Sequence, residues 1–368
     1  MNRSFILSAA RSAVVPRGGR FSHLSLQELA KPVLLDCLVR SGVGAGDVDE
    51  IIVGNALGAG GNPARLISLA AGFGEHVAGM TIDRQCCSGL DAIILADAMI
   101  RSGQARIVVA GGVESYSRRP LRAQTFPDGR PPAPYDQPPF TPWPERDPDM
   151  AVAAAHLANE LGISREEQDA WAVTSHQKAL ASRARLTEEI VPIETVEKDT
   201  FTRNLTQKTC ARATPIAGSI TAANTSVAAD AAAFCVVTSQ DVAGSVQCDS
   251  VEVVAGRTVG GQPDRPGITP VAAIQQVLLD EGLSPGDIDV VEVMEAFAAQ
   301  AIACVSQSGL QSERTNLGGG SLARGHPIGA SGAINAVRLY HELLRSGGNG
   351  IAAIAAAGGL GTALLLRA

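Results

Sequence analysis

The chain has 368 residues, 45% of them apolar and 18% charged, with 39 glycines and a net charge of −7 at pH 7. This composition excludes a disordered or fibrous chain, and the length exceeds a usual single core, so about two domains are expected. The acidic balance argues against general nucleic-acid binding, and no run approaches the roughly 20 apolar residues of a membrane span.

Met1–Ser8 is too short and polar for a signal peptide and reads as a first strand. A helix-like stretch, Leu26–Arg40, follows, and Gly46-Asp47-Val48-Asp49 leads into the strand-like run Ile51–Val53. In Asp83-Arg84-Gln85-Cys86-Cys87-Ser88-Gly89-Leu90 an extended segment turns into a helix, Leu90–Ser102. The strand Ile107–Ala110 comes next. From about Ser115 to Thr238 the alternation of strand and helix is interrupted. Ser115–Asp149 holds ten of the 20 prolines, which excludes regular structure there. Ser164-Arg165-Glu166-Glu167 is a capping box opening a helix through Ala181. An insert of this size reads as a lid or binding subdomain, or else as structural decoration or a dimer contact. Alternation then resumes with the helix Thr269–Glu281, Gly286-Asp287-Ile288-Asp289, the strand Val290–Val293, the helix Ala333–Arg345 and the strand Ile351–Ala355.

These landmarks repeat. Gly46 and Gly286 open matching tetrapeptides 240 residues apart, and Cys86 and His326 have the same separation. Ser88-Gly89 and Ser331-Gly332 begin helices that end at Arg101-Ser102-Gly103 and Arg345-Ser346-Gly347, 243 to 244 residues on. The chain therefore reads as two fused βαβ-rich halves, 1–244 and 245–368, with the insert at about 115–238 in the first. Near-continuous apolar strands between helices imply sheets covered on both faces.

Cys86 and His326 occupy related turns. Free N–H groups at a helix start stabilise negative charge, so a lowered thiol pKa is expected for Cys86. A nearby imidazole can take its proton or orient an oxyanion. A lone cysteine is more often a small buried hydrophobe, and a lone histidine a core imidazole. Matched places in a duplicated frame shift both toward nucleophilic acyl transfer. No Gly-x-Gly-x-x-Gly follows a strand, and Cys and His lack zinc spacing, so neither a dinucleotide enzyme nor a metal site is expected. Seven cysteines without framework spacing fit a reducing cytoplasm.

Over its whole length the chain resembles the thiolase family. The resemblance rests on Ser8-Ala9-Ala10-Arg11-Ser12, on Asp49–Asn55 with Gly61-Asn62-Pro63-Ala64-Arg65, and on Arg84-Gln85-Cys86-Cys87-Ser88-Gly89-Leu90. It continues through Ala110–Ser117, Ile163–Asp169, Ser175–Lys178, Asn224-Thr225-Ser226 and Gly325-His326-Pro327-Ile328-Gly329-Ala330-Ser331-Gly332. The resemblance implies a five-layered α-β-α-β-α sandwich, Cys86 as the acylated cysteine and His326 beside it. It also implies coenzyme A thioesters as substrates with no separate cofactor, a pantetheine contact at Ser226, and a homodimer or homotetramer.

Two positions depart from the family pattern. Met294-Glu295-Ala296-Phe297 stands where the family has Asn-Glu-Ala-Phe, and Ala355-Ala356-Ala357-Gly358-Gly359 where it has Cys-x-Gly-Gly-Gly. Met294 cannot donate the hydrogen bond of that Asn, and Ala355 carries no proton for the acid–base role of that Cys. Ala357 replaces a glycine whose N–H, with that of Cys86, lines an oxyanion hole, so the backbone there must suit alanine. Acylation of Cys86 is thus expected to survive and carbanion chemistry to suffer. Cys87, the nearest substitute thiol, and Cys304 are expected in the core. The Pro-rich span and Met294 are expected to shape the acyl pocket; Arg203, Lys208 and Arg212 are candidates for coenzyme A phosphates. Three readings follow: a thiolase-type acyltransferase, a condensing enzyme that forms its carbanion by decarboxylation, or a catalytically weak subunit of a complex with a partner protein.

Overall fold

The computed structural model describes residues 2–58, 60–246 and 248–368. In the first half, β1 (Ser4–Ser12) leads to α1 (Leu26–Ser41), β2 (Glu50–Gly54), α2 (Pro63–Ala70), β3 (Ala78–Ile82), α3 (Ser88–Arg101) and β4 (Ile107–Ser115). An insert follows, with α4 (Met150–Glu160) and α5 (Arg165–Ala181), before β5 (Ala229–Ser239). The second half runs β6 (Val251–Gly260), α6 (Thr269–Asp280), β7 (Val290–Val293), α7 (Ala298–Ser308), α8 (Ile328–Ser346), β8 (Asn349–Ala356) and β9 (Leu360–Arg367). Helix ends follow local chemistry. Ser25 and Glu28 form a capping box at α1, which ends at Gly42 with φ 68°; Ser164 and Glu167 cap α5 in the same way.

The duplication is written into the sheet order, β7-β8-β9-β6-β1-β5-β4-β2-β3. From the central β6–β1 antiparallel pair outward, each half repeats the same pairings. β1 pairs antiparallel with β5, and β6 with β9; these partners pair antiparallel with β4 and β8 respectively, which lie parallel to β2 and β7. Even the parallel β2–β3 step has a remnant, the bridge Val291–Thr315. Helices α3 and α8 lie between the two half-sheets, α1 and α2 cover one outer face, and α6 and α7 the other. The result is five layers of the thiolase fold. All nine residues of β4 and ten of the eleven of β5 are buried, as strands covered on both sides must be.

Two local expectations need correction. The range expected for the insert includes Ala229–Ser239, which is β5, a central strand whose counterpart is β9. Its sequence is rich in alanine and poor in β-branched residues, so it lacks the usual strand signature. The Pro-rich span is mostly irregular but contains a small antiparallel pair, Arg122–Gln124 with Ala133–Tyr135.

Glycines at matched repeat positions bring the two central helices together. A Cβ on Gly89 would lie 2.7 Å from the Ala333 nitrogen, and one on Gly332 would lie 2.6 Å from the Leu90 nitrogen. Only glycine permits that approach of α3 and α8. Because each helix starts at one of the two functional turns, this contact also sets the distance between Cys86 and His326. No helix among the described residues is long and apolar enough to cross a membrane.

Candidate active site

Cys86 lies in a single 3₁₀ turn, Gln85–Cys87, immediately before α3. Gln85 has φ +50°, a left-handed conformation that costs a non-glycine residue about 1 kcal/mol or more and that clusters at functional turns. His326 precedes α8 and is held by its own N–H, which donates to the Val227 carbonyl at 2.7 Å. The two side chains meet, with Cys86 Sγ 3.2 Å from His326 Nε2.

The imidazole tautomer follows from its other nitrogen. Ser331 Oγ is 3.0 Å from the Pro327 carbonyl, to which it donates, and 2.7 Å from His326 Nδ1. With its proton committed to Pro327, the hydroxyl accepts from Nδ1–H. Nε2 therefore presents a lone pair to the thiol.

Glu114 joins the halves behind this pair. Its carboxylate accepts from Asn55 Nδ2 (2.7 Å), from the Ala56 nitrogen (3.0 Å) and from the Gly329 nitrogen at the start of α8 (3.0 Å). Burial raises its pKa to about 7 against the pull of these donors.

The expected thiol pKa is reversed. Burial pushes Cys86 up to about 12, and the charges of Glu114 and Asp83 act in the same direction. Burial also pushes His326 down to about 4. Desolvation outweighs the pull of the thiol's own backbone N–H, so the resting pair is a neutral thiol facing a neutral imidazole.

A cavity of about 610 Å³ opens onto Cys86 and His326. Ala296, Phe297, Ala355, Ala356 and Ala357 also line it, and the strand ending at Ala356 packs against the Gln85–Cys87 turn. Ala357 has a negative φ, so alanine fits the backbone, and the left-handed turn that follows is taken by Gly358 (φ 76°) and Gly359 (φ 79°). The expectation that Met294 shapes the pocket fails: Met294 is 1% exposed, belongs to the core between the half-sheets, and does not line the cavity. Cys87 is also in that core, its thiol directed at the Ile354 carbonyl at 3.6 Å, and Cys304 is buried beneath the outer face of the second half.

Ser226 lines the cavity, its hydroxyl donating to the Glu295 carbonyl. Arg203, Lys208 and Arg212 do not line it. Arg203 instead lies over the Phe201 ring, 4.2 Å from its centroid, while Lys208 and Arg212 are exposed. The cavity's arginines are Arg17, Arg119, Arg122 and Arg265, none of which a motif had marked. Four buried polar atoms of lining residues also lack a partner: Gln85 Oε1, Thr225 Oγ1, Arg265 Nε and Gln300 Nε2. The Ser331 contact was legible in principle, since a hydroxyl five residues past His326 in the first turn of a helix can reach back to the imidazole.

A duplicated sheet enclosing two glycine-apposed helices, with a cysteine and a histidine meeting at their starts, defines the thiolase class of fold. The model of the thiolase N-terminal domain matches residues 4–241, and that of the C-terminal domain residues 249–368. The chain is 37% identical over 374 residues to YhfS of Bacillus subtilis (strain 168), named as a candidate acetyl-CoA C-acetyltransferase, with 98% of each chain covered. It superposes on the crystal structure of the Bacillus anthracis acetyl-CoA acetyltransferase with a TM-score of 0.94 and 35% identity, covering 100% of this chain and 99% of the other. The Acat5 thiolase of Ascaris suum in complex with coenzyme A gives a TM-score of 0.92 and 31% identity, covering 99% of both chains. The protein belongs to the thiolase family.

Proposed function

We propose that the protein is a coenzyme A-dependent acyltransferase of the thiolase type that works through an acyl-Cys86 thioester. The observation that carries this reading is the 3.2 Å contact between Cys86 Sγ and a His326 Nε2 whose tautomer Ser331 fixes. As the sulfur attacks a thioester carbonyl, Nε2 takes the thiol proton. The new S–C bond forms, the bond to the coenzyme A sulfur breaks, and the imidazolium returns the proton to that sulfur. In this reading the backbone N–H groups of Cys86 and Ala357, both residues of the cavity lining, receive the oxyanion. Partnerless Thr225 Oγ1 and Gln300 Nε2, with Ser226 also in the cavity lining, are suited to the amides of a pantetheine arm.

Intact-mass spectrometry after incubation with a panel of acyl-CoAs tests the reading. A gain of one acyl mass that is lost in Cys86→Ala supports it; no gain with any thioester refutes it.

Ala355 favours a second reading. Where the family resemblance calls for an acid–base thiol, the cavity presents a methyl group. A carbanion made by loss of carbon dioxide needs no base for an α-proton, so release of carbon dioxide from malonyl-CoA would select a decarboxylative enzyme.

Assembly as a homodimer is part of the proposal. The exposed edge strand β3 and the neighbouring α2 carry Met80, Leu66 and Leu69 at 39%, 51% and 47% exposure, and an edge of this kind invites pairing with a second copy. A monomer by light scattering at micromolar concentration would remove this element.

A further inference from the structure

We infer that the cavity wall beside Cys86 receives a carboxylate at the far end of the acyl chain, so that the preferred acyl group is dicarboxylic rather than plain alkyl. This rests on the acyl-Cys86 reading.

In a chain of net charge −7, the cavity lining gathers Arg17, Arg119 and Arg122 against the carboxylates Asp136 and Asp83. Arg17 is exposed to the cavity, and its guanidinium makes no hydrogen bond or ion pair among the described residues. Its backbone is nonetheless fixed: Arg17 N–H donates to the Ala228 carbonyl at 2.9 Å, and Gly18 N–H donates to Ser117 Oγ at 2.9 Å. Arg119 lies 6.0 Å from the Tyr116 ring centroid and pairs at 2.9 Å with Asp136, whose side chain is 88% exposed. With Arg119 only 20% exposed and its partner in solvent, Asp136 is the member that a ligand anion can replace. Arg122 Nη2 donates to the carbonyls of Ala56 (3.1 Å) and Leu57 (3.0 Å), which aims the rest of its guanidinium along the wall.

The position of this cluster separates two sources of negative charge. Burial raises the Tyr116 phenol, the Cys86 sulfur and the Glu114 carboxylate add to the rise, and Arg119 and Arg17 oppose it. Both guanidinium groups are thus within electrostatic reach of the same hydroxyl as the nucleophile. A thioester reacting at Cys86 puts its acyl group there, whereas the phosphates of coenzyme A lie a pantetheine arm away. An alkyl chain gains nothing from an unpaired guanidinium and leaves it partly desolvated; a carboxylate gains bidentate, charge-assisted hydrogen bonds with Tyr116 as a further donor. The chemistry at sulfur is unchanged: the S–C bond to Cys86 forms, the C–S bond to coenzyme A breaks, the proton passes through His326 to the leaving thiol, and the distal carboxylate keeps its charge.

The test compares rates of acyl-mass gain from succinyl-, glutaryl- and adipyl-CoA with those from butyryl-, valeryl- and hexanoyl-CoA, matched by length. The expected result is an advantage of about tenfold or more for at least one carboxylated chain. Arg17→Met and Arg119→Met should collapse that ratio, and Arg17→Lys should restore part of it. Repeating the comparison with N-acetylcysteamine thioesters, which carry no phosphate, should preserve the ratio. Three results overturn the inference: matched alkyl chains reacting as fast or faster, a ratio that Arg17→Met and Arg119→Met leave intact, or a ratio that vanishes with N-acetylcysteamine carriers. Failure of every thioester to modify Cys86 would overturn the acyl-enzyme reading and this inference with it, whereas acylation by alkyl chains alone would overturn only this inference.

Discussion

One stretch of the cavity wall, Cys86 and His326 backed by Ser331 and the Pro327 carbonyl, is an unbroken line of hydrogen bonds. A neighbouring stretch, Ala296, Phe297, Ala355 and Ala356, offers methyl groups and a ring. The first wall can move a proton between a thiol and a leaving group. The second can only shape space and lend backbone N–H groups. A site built this way suits acyl transfer to and from sulfur better than making or breaking carbon–carbon bonds, because the latter also needs a proton carrier at the α-carbon.

The sharpest break is at the nucleophile. Cys86→Ala should abolish acyl-mass gain by intact-mass spectrometry, whereas Cys87→Ala should retain it. The reverse pattern would move the chemistry into the core and erase the contrast between the walls.

Next in size is repair of the silent wall. Ala355→Cys should raise acetoacetyl-CoA thiolysis by up to about 10²–10⁴, less whatever a misplaced thiol forfeits. Adding Met294→Asn should bring no further gain, because Met294 is in the core. It should instead cost about 1–3 kcal/mol in denaturant unfolding, as a buried amide without partners does. A large rate gain from Met294→Asn would show that this side chain reaches the cavity after all.

On the active wall, Ser331→Ala should slow acylation about tenfold by freeing the imidazole tautomer. Ser331→Thr should keep most of the rate, and ¹⁵N shifts of His326 should show Nδ1–H lost only in the alanine variant. If both variants acylate at the wild-type rate, Ser331 does not position the ring.

The pH effect is the smallest near neutrality. With His326 held down to about 4, the pair itself should give acylation no limb from pH 5 to 8, so a limb there is expected only from Glu114, near 7. A limb near 6.5 that persists in Glu114→Gln would mean a solvated imidazole. The folded pKa lies below the unfolded value of about 6.5, so between these values the unfolded chain binds more protons. The contribution of this group to stability is present above pH 6.5 and is lost as pH falls through about 4. His176, also lowered to about 4 by burial, should act in the same direction.

The active wall was legible in the sequence because duplication exposed it. Cys86 and His326 stand at equal offsets in repeated strand–turn–helix units, and each is followed by the glycine that lets α3 and α8 touch. What the sequence misjudged depended on burial or on side-chain direction. The helix start at Cys86 promised a lowered pKa, but desolvation overrode it. Met294 lies one residue beyond β7, where its side chain enters the core while Ala296 and Phe297 turn to the cavity. Arg17 and Arg119 belong to loops after β1 and β4, far apart in sequence and joined only by the fold. Arg203 looked like a phosphate ligand, and the fold sets it over the Phe201 ring, outside the cavity lining.

The account is tested most directly by measuring, on the wild-type protein, the single-turnover rate of Cys86 acylation alongside steady-state acetoacetyl-CoA thiolysis. Acylation should be the faster by a wide margin, with Ala355→Cys narrowing the gap. Vigorous wild-type thiolysis that Ala355→Cys leaves unchanged would contradict the account, since a proton carrier other than residue 355 would then serve the second wall.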